Sequence, residues 1–388
     1  MKKKILFVLN TLSVGGVTSS LSSIYEELEN KYSICILPLN YDDGYELNFT
    51  KALLPRYREL DAYHCTFANS KKSDRFFKRF IKYIKRLSII FNWDYERFIS
   101  KKTIKSIEKK YDFDLILSFQ DGASTNFCQY FKNPNKITWI HCDYTQLYAG
   151  REEELLYKKY LKVVCVSKYT AQRFVDKYPT LSDRTTHIYN IIDINRINFL
   201  SKALVNDNRF LINRFTIISM GRIVPLKRFS SIPFIARALK DSKVVFNWYI
   251  LGPDFDKDEL EKINKGINEL NVADCVKWLG NKPNPYPYLK AADLYVSLST
   301  TEACPMVFNE ARILDVPIVS TNFGSSFEFI ENGKNGIISP IEKIEKVITE
   351  LIKDKSFYGY LKTNTSKFKI DNTQIINSIT ELLDNNVK

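Results

Sequence analysis

Residues 293–340 read DLYVSLSTTEACPMVFNEARILDVPIVSTNFGSSFEFIENGKNGIISP. An apolar run over 294–298 gives way to a polar turn, a helix-like stretch over 305–314, a second apolar run over 317–320 and a glycine-bearing turn. Alternation of this kind predicts strand, helix, strand in a parallel sheet, and such sheets hold ligands in the loops at their strand C-termini. Two acids bracket the first of those loops. Glu302 stands ahead of the helix and Glu310 about two turns up, at ~3.6 residues per turn, so one carboxylate can meet the front of a ligand and the other a group further back. Taken alone, the pair also fits a helix N-terminus favoured by negative charge and a solvated helical face.

The rest of the chain repeats the theme. Runs over 3–9, 32–39, 114–119, 136–140 and 163–167, then over 215–220, 244–251 and 275–279, read as buried strands with helical patterns among them. Gly15-Gly16 follow the first run and feed a helical pattern, so their exposed amides can approach an anion or a sugar closely, although the Gly-x-Gly-x-x-Gly spacing of a dinucleotide site is missing. His141 falls where a strand leaves into a loop, within a Trp-Ile-His-Cys-Asp run too compressed for a convincing metal site. Gly221-Arg222 and Lys227 emerge at a strand C-terminus where glycine and proline bend the chain. Two cations so placed suit a diphosphate, each charge-assisted bond contributing roughly 1.5–3 kcal/mol. Arg228 stands beside Lys227 and could replace it; Gly252 and Gly280 end two further strands.

At 388 residues, 45% of them hydrophobic, the chain fits two soluble globular domains better than one core. Its seven cysteines (Cys35, Cys65, Cys128, Cys142, Cys165, Cys275, Cys304) are scattered, with no Cys-x-x-Cys pair, as expected of thiols in a reducing compartment. The start, MKKKILFVLN, breaks at Asn10 and reads as a first strand rather than a signal peptide. No run approaches the ~20 apolar residues of a membrane-spanning helix, so a cytoplasmic location is expected. Fifty-seven basic against 44 acidic residues give +13. No zinc-finger, helix-turn-helix or RNA-binding signature accompanies that excess, which points away from nucleic acid and toward phosphates or an anionic membrane surface. Much of it is concentrated: Lys71 to Arg86 hold eight basic residues against one acid, +7 of the +13, interleaved with Phe76, Phe77, Phe80, Ile81, Ile84 and Leu87 at helical spacing. That pattern suits a helix lying in an anionic membrane interface, with an amphipathic helix covering a core with solvated lysines as the alternative.

The ordered set Glu302, Pro305, Glu310-Ala311, Pro317-Ile318-Val319, Gly324, Glu328, Asn332-Gly333 and Asn335-Gly336 resembles the donor-binding segment of family 4 glycosyltransferases, or glycosyl transferases group 1, which have the two-domain GT-B fold. Gly221-Arg222 to Lys227 matches that family's phosphate pattern, His141 stands where members carry a histidine at the donor sugar, and the run from His187 through Asn190 to Asp193 resembles the turn that leaves the first domain. The resemblance implies that Glu302 sits at the transferred sugar and the phosphates while Glu310 holds the ribose, a role that suits a carboxylate because its two oxygens can accept from two hydroxyls. It further implies a donor site made of Gly15, Gly16, Gly221, Arg222, Lys227, Gly252, Glu302, Cys304, Pro305, Met306, Val307 and Glu310, with His141, Glu302, Arg222 and Lys227 in catalysis and the turn after Gly280 near the base. One departure bears on the donor sugar more than on the nucleotide: Ala303-Cys304 replace the family's usual Gly-Phe.

The expected architecture is therefore α/β of the GT-B type, two Rossmann-like domains facing each other across a cleft. Residues 1–194 form the acceptor-side domain, 195–213 a linker, 214–370 the nucleotide-sugar-binding domain and 371–388 a C-terminal helix crossing back to the first domain. The implied activity is retaining transfer of a sugar, with a UDP-linked donor expected, to a growing surface glycan of capsule, O-antigen, lipooligosaccharide or teichoic-acid type. The acceptor would be a glycan or lipid-linked glycan, no metal or other cofactor is expected, and Lys71–Lys102 would bring the protein to the inner face of the cytoplasmic membrane. UDP-sugar 2-epimerases share the fold, and a catalytically silent glycan binder is a third reading; UDP release that requires an acceptor separates the three.

Overall fold

The computed structural model describes residues 2–12, 15–40, 50–57, 94–211 and 214–386; the basic segment expected to meet a membrane lies, up to residue 93, outside them. The chain divides into two compact units, Met1–Ile191 with Thr373–Lys388, and Ile192–Asn372. In the first, β1 (Lys4–Thr11), β2 (Ser33–Asn40), β3 (Leu115–Ser118), β4 (Lys136–Ile140), β5 (Lys162–Cys165) and β6 (Thr185–His187) form a parallel sheet in the order β2-β1-β3-β4-β5-β6. In the second, β7 (Phe215–Met220), β8 (Phe246–Leu251), β9 (Val276–Gly280), β10 (Leu294–Ser297), β11 (Ile318–Thr321) and β12 (Gly336–Ser339) are parallel in the order β12-β11-β10-β7-β8-β9. Read from β9, that is the Rossmann order, two halves diverging from the β7/β10 boundary.

Helices cover both faces of a parallel sheet, which is why its strands read as continuous apolar runs rather than alternating ones. In β1, Ile5 to Leu9 are all fully buried; in the second unit Ile217, Trp248, Ile250, Leu294, Val296 and Val319 form one core with Ile263 and Ile348 from covering helices. Each such side chain contributes roughly 1.5–3 kcal/mol on burial. The helix Lys257–Glu269 starts where it does because Asp256 Oδ1 accepts from the Glu259 N–H at 3.0 Å, with Asp258 and Glu259 placed in the first turn. The strand β12 has no signal of its own beyond Gly336. A Cβ there would lie 2.6 Å from the Ile318 carbonyl oxygen, so the close approach to β11 requires glycine.

Residues 195–213, read as a linker, open inside a helix, Ile194–Leu200, capped by Asp193 Oδ1 accepting from the Arg196 N–H at 2.8 Å. Beyond it the segment is fastened to the second unit: Lys282 Nζ pairs with Asp207 at 2.7 Å, and the Leu211 N–H donates to the Tyr249 hydroxyl at 2.8 Å. Asn190 accepts from the Ser20 hydroxyl at 2.9 Å rather than from the turn backbone. The Asn372 side chain donates to the Ile192 carbonyl at 2.8 Å and accepts from the Ile192 N–H at 3.3 Å, so the two points where the chain passes between units are tied together. The last helix, Thr373–Asn385, belongs to the first unit, where Asp384 accepts from Lys31 Nζ and from the Tyr32 hydroxyl, both at 2.8 Å. Among the described residues no helix is long and apolar enough to cross a membrane, and no group of His, Cys, Asp and Glu could hold a metal ion.

Candidate functional site

In an open parallel sheet the loops on either side of the point where strand order reverses part to leave a crevice. In the second unit that point lies between β7 and β10. The loop after β7 carries Gly221-Arg222 and a short turn, Pro225–Lys227; the loop after β10 carries Glu302. Lys227 Nζ donates to Glu302 Oε1, closing an ion pair across the boundary with side chains only 22% and 19% exposed. Ser299 Oγ donates to the same oxygen at 2.7 Å, and Ser325 Oγ to the Glu302 carbonyl at 2.6 Å. The Thr300 N–H donates to the Leu226 carbonyl at 2.9 Å, so backbone and side chains both hold the two loops together. Glycine makes the approach possible on the β8 side. Gly221 and Gly252 both have φ of 148°, and a Cβ on Gly252 would lie 1.7 Å from the Gly221 carbonyl oxygen.

Glu310 rises from the helix Met306–Ile313, whose N-cap is Pro305 and whose first N–H groups find no side-chain cap. Ala303 and Pro305 are buried in the approach to that helix, while Cys304, Met306 and Val307 are half-buried. Glu310 is half-buried as a residue, but its carboxylate sits deep, and burial pushes its pKa up to about 7 against a weak opposing hydrogen bond from the Tyr286 hydroxyl at 3.5 Å. The phenol of Tyr295 on β10 is raised well above its ordinary value by burial first, then by the charges of Glu302 and Glu310. Both acids therefore gather around one buried ring. Arg222 is not part of that cluster: it is exposed and leans over Phe255, its Cζ 5.2 Å from the ring centre.

In the first unit the reversal lies between β1 and β3. Gly15 and Gly16, both exposed, open the helix Gly16–Leu28 with no side-chain cap, the Gly15 carbonyl accepting from the Ser19 N–H at 3.0 Å. Asn10 at the end of β1 donates to the Asp121 carbonyl at 2.8 Å and accepts from the Ser124 N–H at 2.7 Å. Asp121, 7% exposed, accepts from the His141 N–H at 3.0 Å, Cys142 Sγ at 3.2 Å and the Tyr148 hydroxyl at 2.9 Å. The His141 ring packs edge-on against Phe119 at 4.8 Å, with Nε2 buried and without a partner. Burial pushes its pKa down to about 4, the charge of Asp121 opposing. The imidazole is therefore neutral near pH 7.

Within the second unit, then, Glu302, Lys227 and Glu310 gather near one another, Gly221 and Gly252 shape the loops beside them, and Arg222 stands apart. Gly15, Gly16 and His141 belong to the first unit. Sequence reasoning missed Ser299, Ser325, Tyr286 and Asp121. Ser299, three residues ahead of Glu302, could have been found as a loop hydroxyl within reach; the others arrive from distant positions and leave no local signal.

The scaffold has counterparts of the same fold among solved structures. The structure of Anabaena Alr3699/HepE in complex with UDP and glucose matches with a TM-score of 0.72 at 18% identity, covering 99% of this chain and 100% of that one, and the paired six-stranded parallel sheets are those of GT-B glycosyltransferases. Residues 204–368, within the second unit, match the glycosyl transferases group 1 family model. An uncharacterized glycosyltransferase of Methanocaldococcus jannaschii is 24% identical over 295 residues, 70% of this chain and 68% of that protein. The N-acetylgalactosamine-N,N'-diacetylbacillosaminyl-diphospho-undecaprenol 4-alpha-N-acetylgalactosaminyltransferase of Campylobacter jejuni is 31% identical over 171 residues, 44% of each chain.

Proposed function

We propose that this protein is a retaining glycosyltransferase that moves a sugar from a UDP-linked donor to a growing surface glycan. The observation that carries the proposal is the Lys227–Glu302 pair at the β7/β10 boundary with Glu310 beside it, a cation for phosphate and two carboxylates for hydroxyls within one crevice. Among the described residues both bonds to the Glu302 side chain fall on Oε1, which leaves Oε2 to address the donor. UDP in the similar HepE structure supports the nucleotide, and the undecaprenol-linked substrate named for the Campylobacter relative supports a lipid-linked glycan as acceptor.

In the proposed reaction the bond between the anomeric carbon and the diphosphate oxygen breaks, its electron pair leaving with UDP. The acceptor oxygen bonds to the same carbon on the departure face, and its proton passes to the leaving phosphate. Lys227 and Arg222, with the uncapped N–H groups after Pro305, stabilise the charge that grows on the leaving group. Glu310 accepts from the ribose hydroxyls. His141, neutral near pH 7, hydrogen-bonds the donor sugar without adding charge. We further propose that Lys71–Lys102 binds an anionic membrane; support comes from its charge pattern alone, and salt-sensitive sedimentation with anionic vesicles tests it, absence of binding at low salt sinking the idea.

The deciding experiment is a screen of nucleotide sugars for UDP release, with and without a lipid-linked or free glycan acceptor, followed by the anomeric configuration of the product by NMR. Release that depends on acceptor, with retention, is expected. An epimerised sugar formed without acceptor, or binding with no turnover, would overturn the proposal.

A further inference from the structure

We infer that Phe255 is a positioning residue that holds the Arg222 guanidinium for the leaving diphosphate. The inference rests on the role given to Arg222 above. Phe255 is a large apolar side chain left 67% exposed in the loop after β8, with the Arg222 Cζ 5.2 Å from its ring centre. Backbone bonds fix both residues relative to each other. The Pro253 carbonyl accepts from the Ile223 N–H at 3.0 Å and from the Phe255 N–H at 2.9 Å, and the Asp256 N–H donates to the Ile223 carbonyl at 3.0 Å. On the other side of Arg222 the Gly221 N–H is bound to the Leu251 carbonyl at 2.9 Å. The Cα of Arg222 is thus held on both sides, and its remaining freedom is that of a long side chain. The ring removes part of that freedom.

The contrast with Lys227 says why a ring serves here. Lys227 is fixed by a carboxylate, which takes up much of its charge and one of its donors. Among the described residues no carboxylate pairs with Arg222. An aromatic face attracts a cation through its quadrupole without neutralising it and without accepting from its N–H groups in their plane. All five guanidinium donors stay available for phosphate oxygens, in the fork geometry that matches two of them at once. An exposed acid at position 255 would hold the same guanidinium and cancel it.

The experiment is donor-saturated turnover and donor KM for Phe255→Ala, Phe255→Leu, Phe255→Trp and Phe255→Glu, alone and with Arg222→Ala, on the full chain with melting curves in parallel. Phe255→Ala and Phe255→Leu should each lower kcat by roughly two- to fivefold, the size of an exposed cation–π contact, with KM and melting unchanged. Phe255→Trp should keep full turnover, and Phe255→Glu should lose more than Phe255→Ala. With Arg222→Ala in place, Phe255→Ala should add nothing. An equal loss in both backgrounds overturns the inference, because the ring would be acting without the cation. So does full turnover in Phe255→Ala when Arg222→Ala is impaired. Full turnover in Arg222→Ala instead removes the phosphate role of Arg222 itself, and the positioning role falls with it.

Discussion

The two sheets reverse strand order at comparable places, yet the chemistry laid over the reversal is opposite. Over the β7/β10 boundary the loops carry charge: Lys227 paired with Glu302, and Glu310 behind them. Over the β1/β3 boundary they present backbone at Gly15-Gly16, an amide side chain at Asn10 and a carboxylate, Asp121, already consumed by three donors. The imidazole of His141, whose backbone N–H donates to that carboxylate, is buried and neutral near pH 7. Shared topology thus supplies two crevices, and among the described residues the loops give one of them charge that can neutralise an anion and the other groups that shape and hydrogen-bond. A donor with two phosphates needs the first kind. A sugar and its acceptor need the second.

The largest effect that tests this difference is at the ion pair. Lys227→Ala should lower kcat by roughly 100- to 1000-fold, the scale of losing one group that stabilises developing oxyanion charge, measured as UDP release at saturating donor. Glu302→Ala should also lose turnover, while Ser299→Ala, which leaves the Lys227 bond to the same oxygen, should lose far less. If Lys227→Ala retained wild-type turnover with Arg228 also replaced, the charged crevice would have no part in leaving-group departure.

Next in size is Glu310→Ala, which should weaken UDP binding by roughly 10- to 150-fold, the equivalent of about 1.5–3 kcal/mol for a bond to a charged group. Calorimetry with UDP measures it directly, and unchanged affinity would take Glu310 out of the site. The pH dependence has a definite sign. With a pKa pushed up to about 7, the carboxyl carries a proton in much of the free protein at pH 6, and ribose hydroxyls favour the ionised form as acceptor. UDP affinity should therefore rise from pH 6 to pH 8 with release of protons, and Glu310→Gln should flatten the profile. The same shift acts on stability in the opposite sense: its contribution is complete below the ordinary carboxyl pKa near 4.5 and is lost as pH rises through about 7.

Most of the fold and half of the site could be read from residues in order. Continuous apolar runs announced the buried parallel strands, and the helix N-terminus at Pro305 with acids at 302 and 310 announced one wall of the crevice, because strand, loop and helix there are contiguous. Pairing was not legible. Lys227 and Glu302 are separated by 75 residues, and nothing in either loop states that β7 and β10 are neighbours; only the sheet order brings them together. The same holds for Tyr286 bonded to Glu310, between two separate helices, and for His141 bonded to Asp121, between the loops after β4 and β3. The short strand β12 was missed for a different reason, since four residues beginning with glycine carry too little pattern to separate from a turn.

The smallest effect belongs to the neutral crevice and is the sharpest test of its neutrality. His141→Asn should lower transfer by roughly two- to tenfold, the range of one hydrogen bond between uncharged groups, while UDP affinity stays at the wild-type value. Its stability signature runs against that of Glu310. Burial pushes the His141 pKa down from 6.5 to about 4, so the unfolded chain binds a proton there at pH values where the folded chain does not. The contribution is complete above about 6.5 and is lost as pH falls through about 4. The two contributions oppose each other in the wild type, so the variants separate them: in thermal melting between pH 4 and pH 7, His141→Asn should make stability fall more steeply with rising pH than in the wild type, whereas Glu310→Gln should make it rise more steeply. A wild-type slope that His141→Asn leaves intact would mean that the imidazole is already solvated and free to charge, and the contrast between a charged and a neutral crevice would then fail at its neutral end.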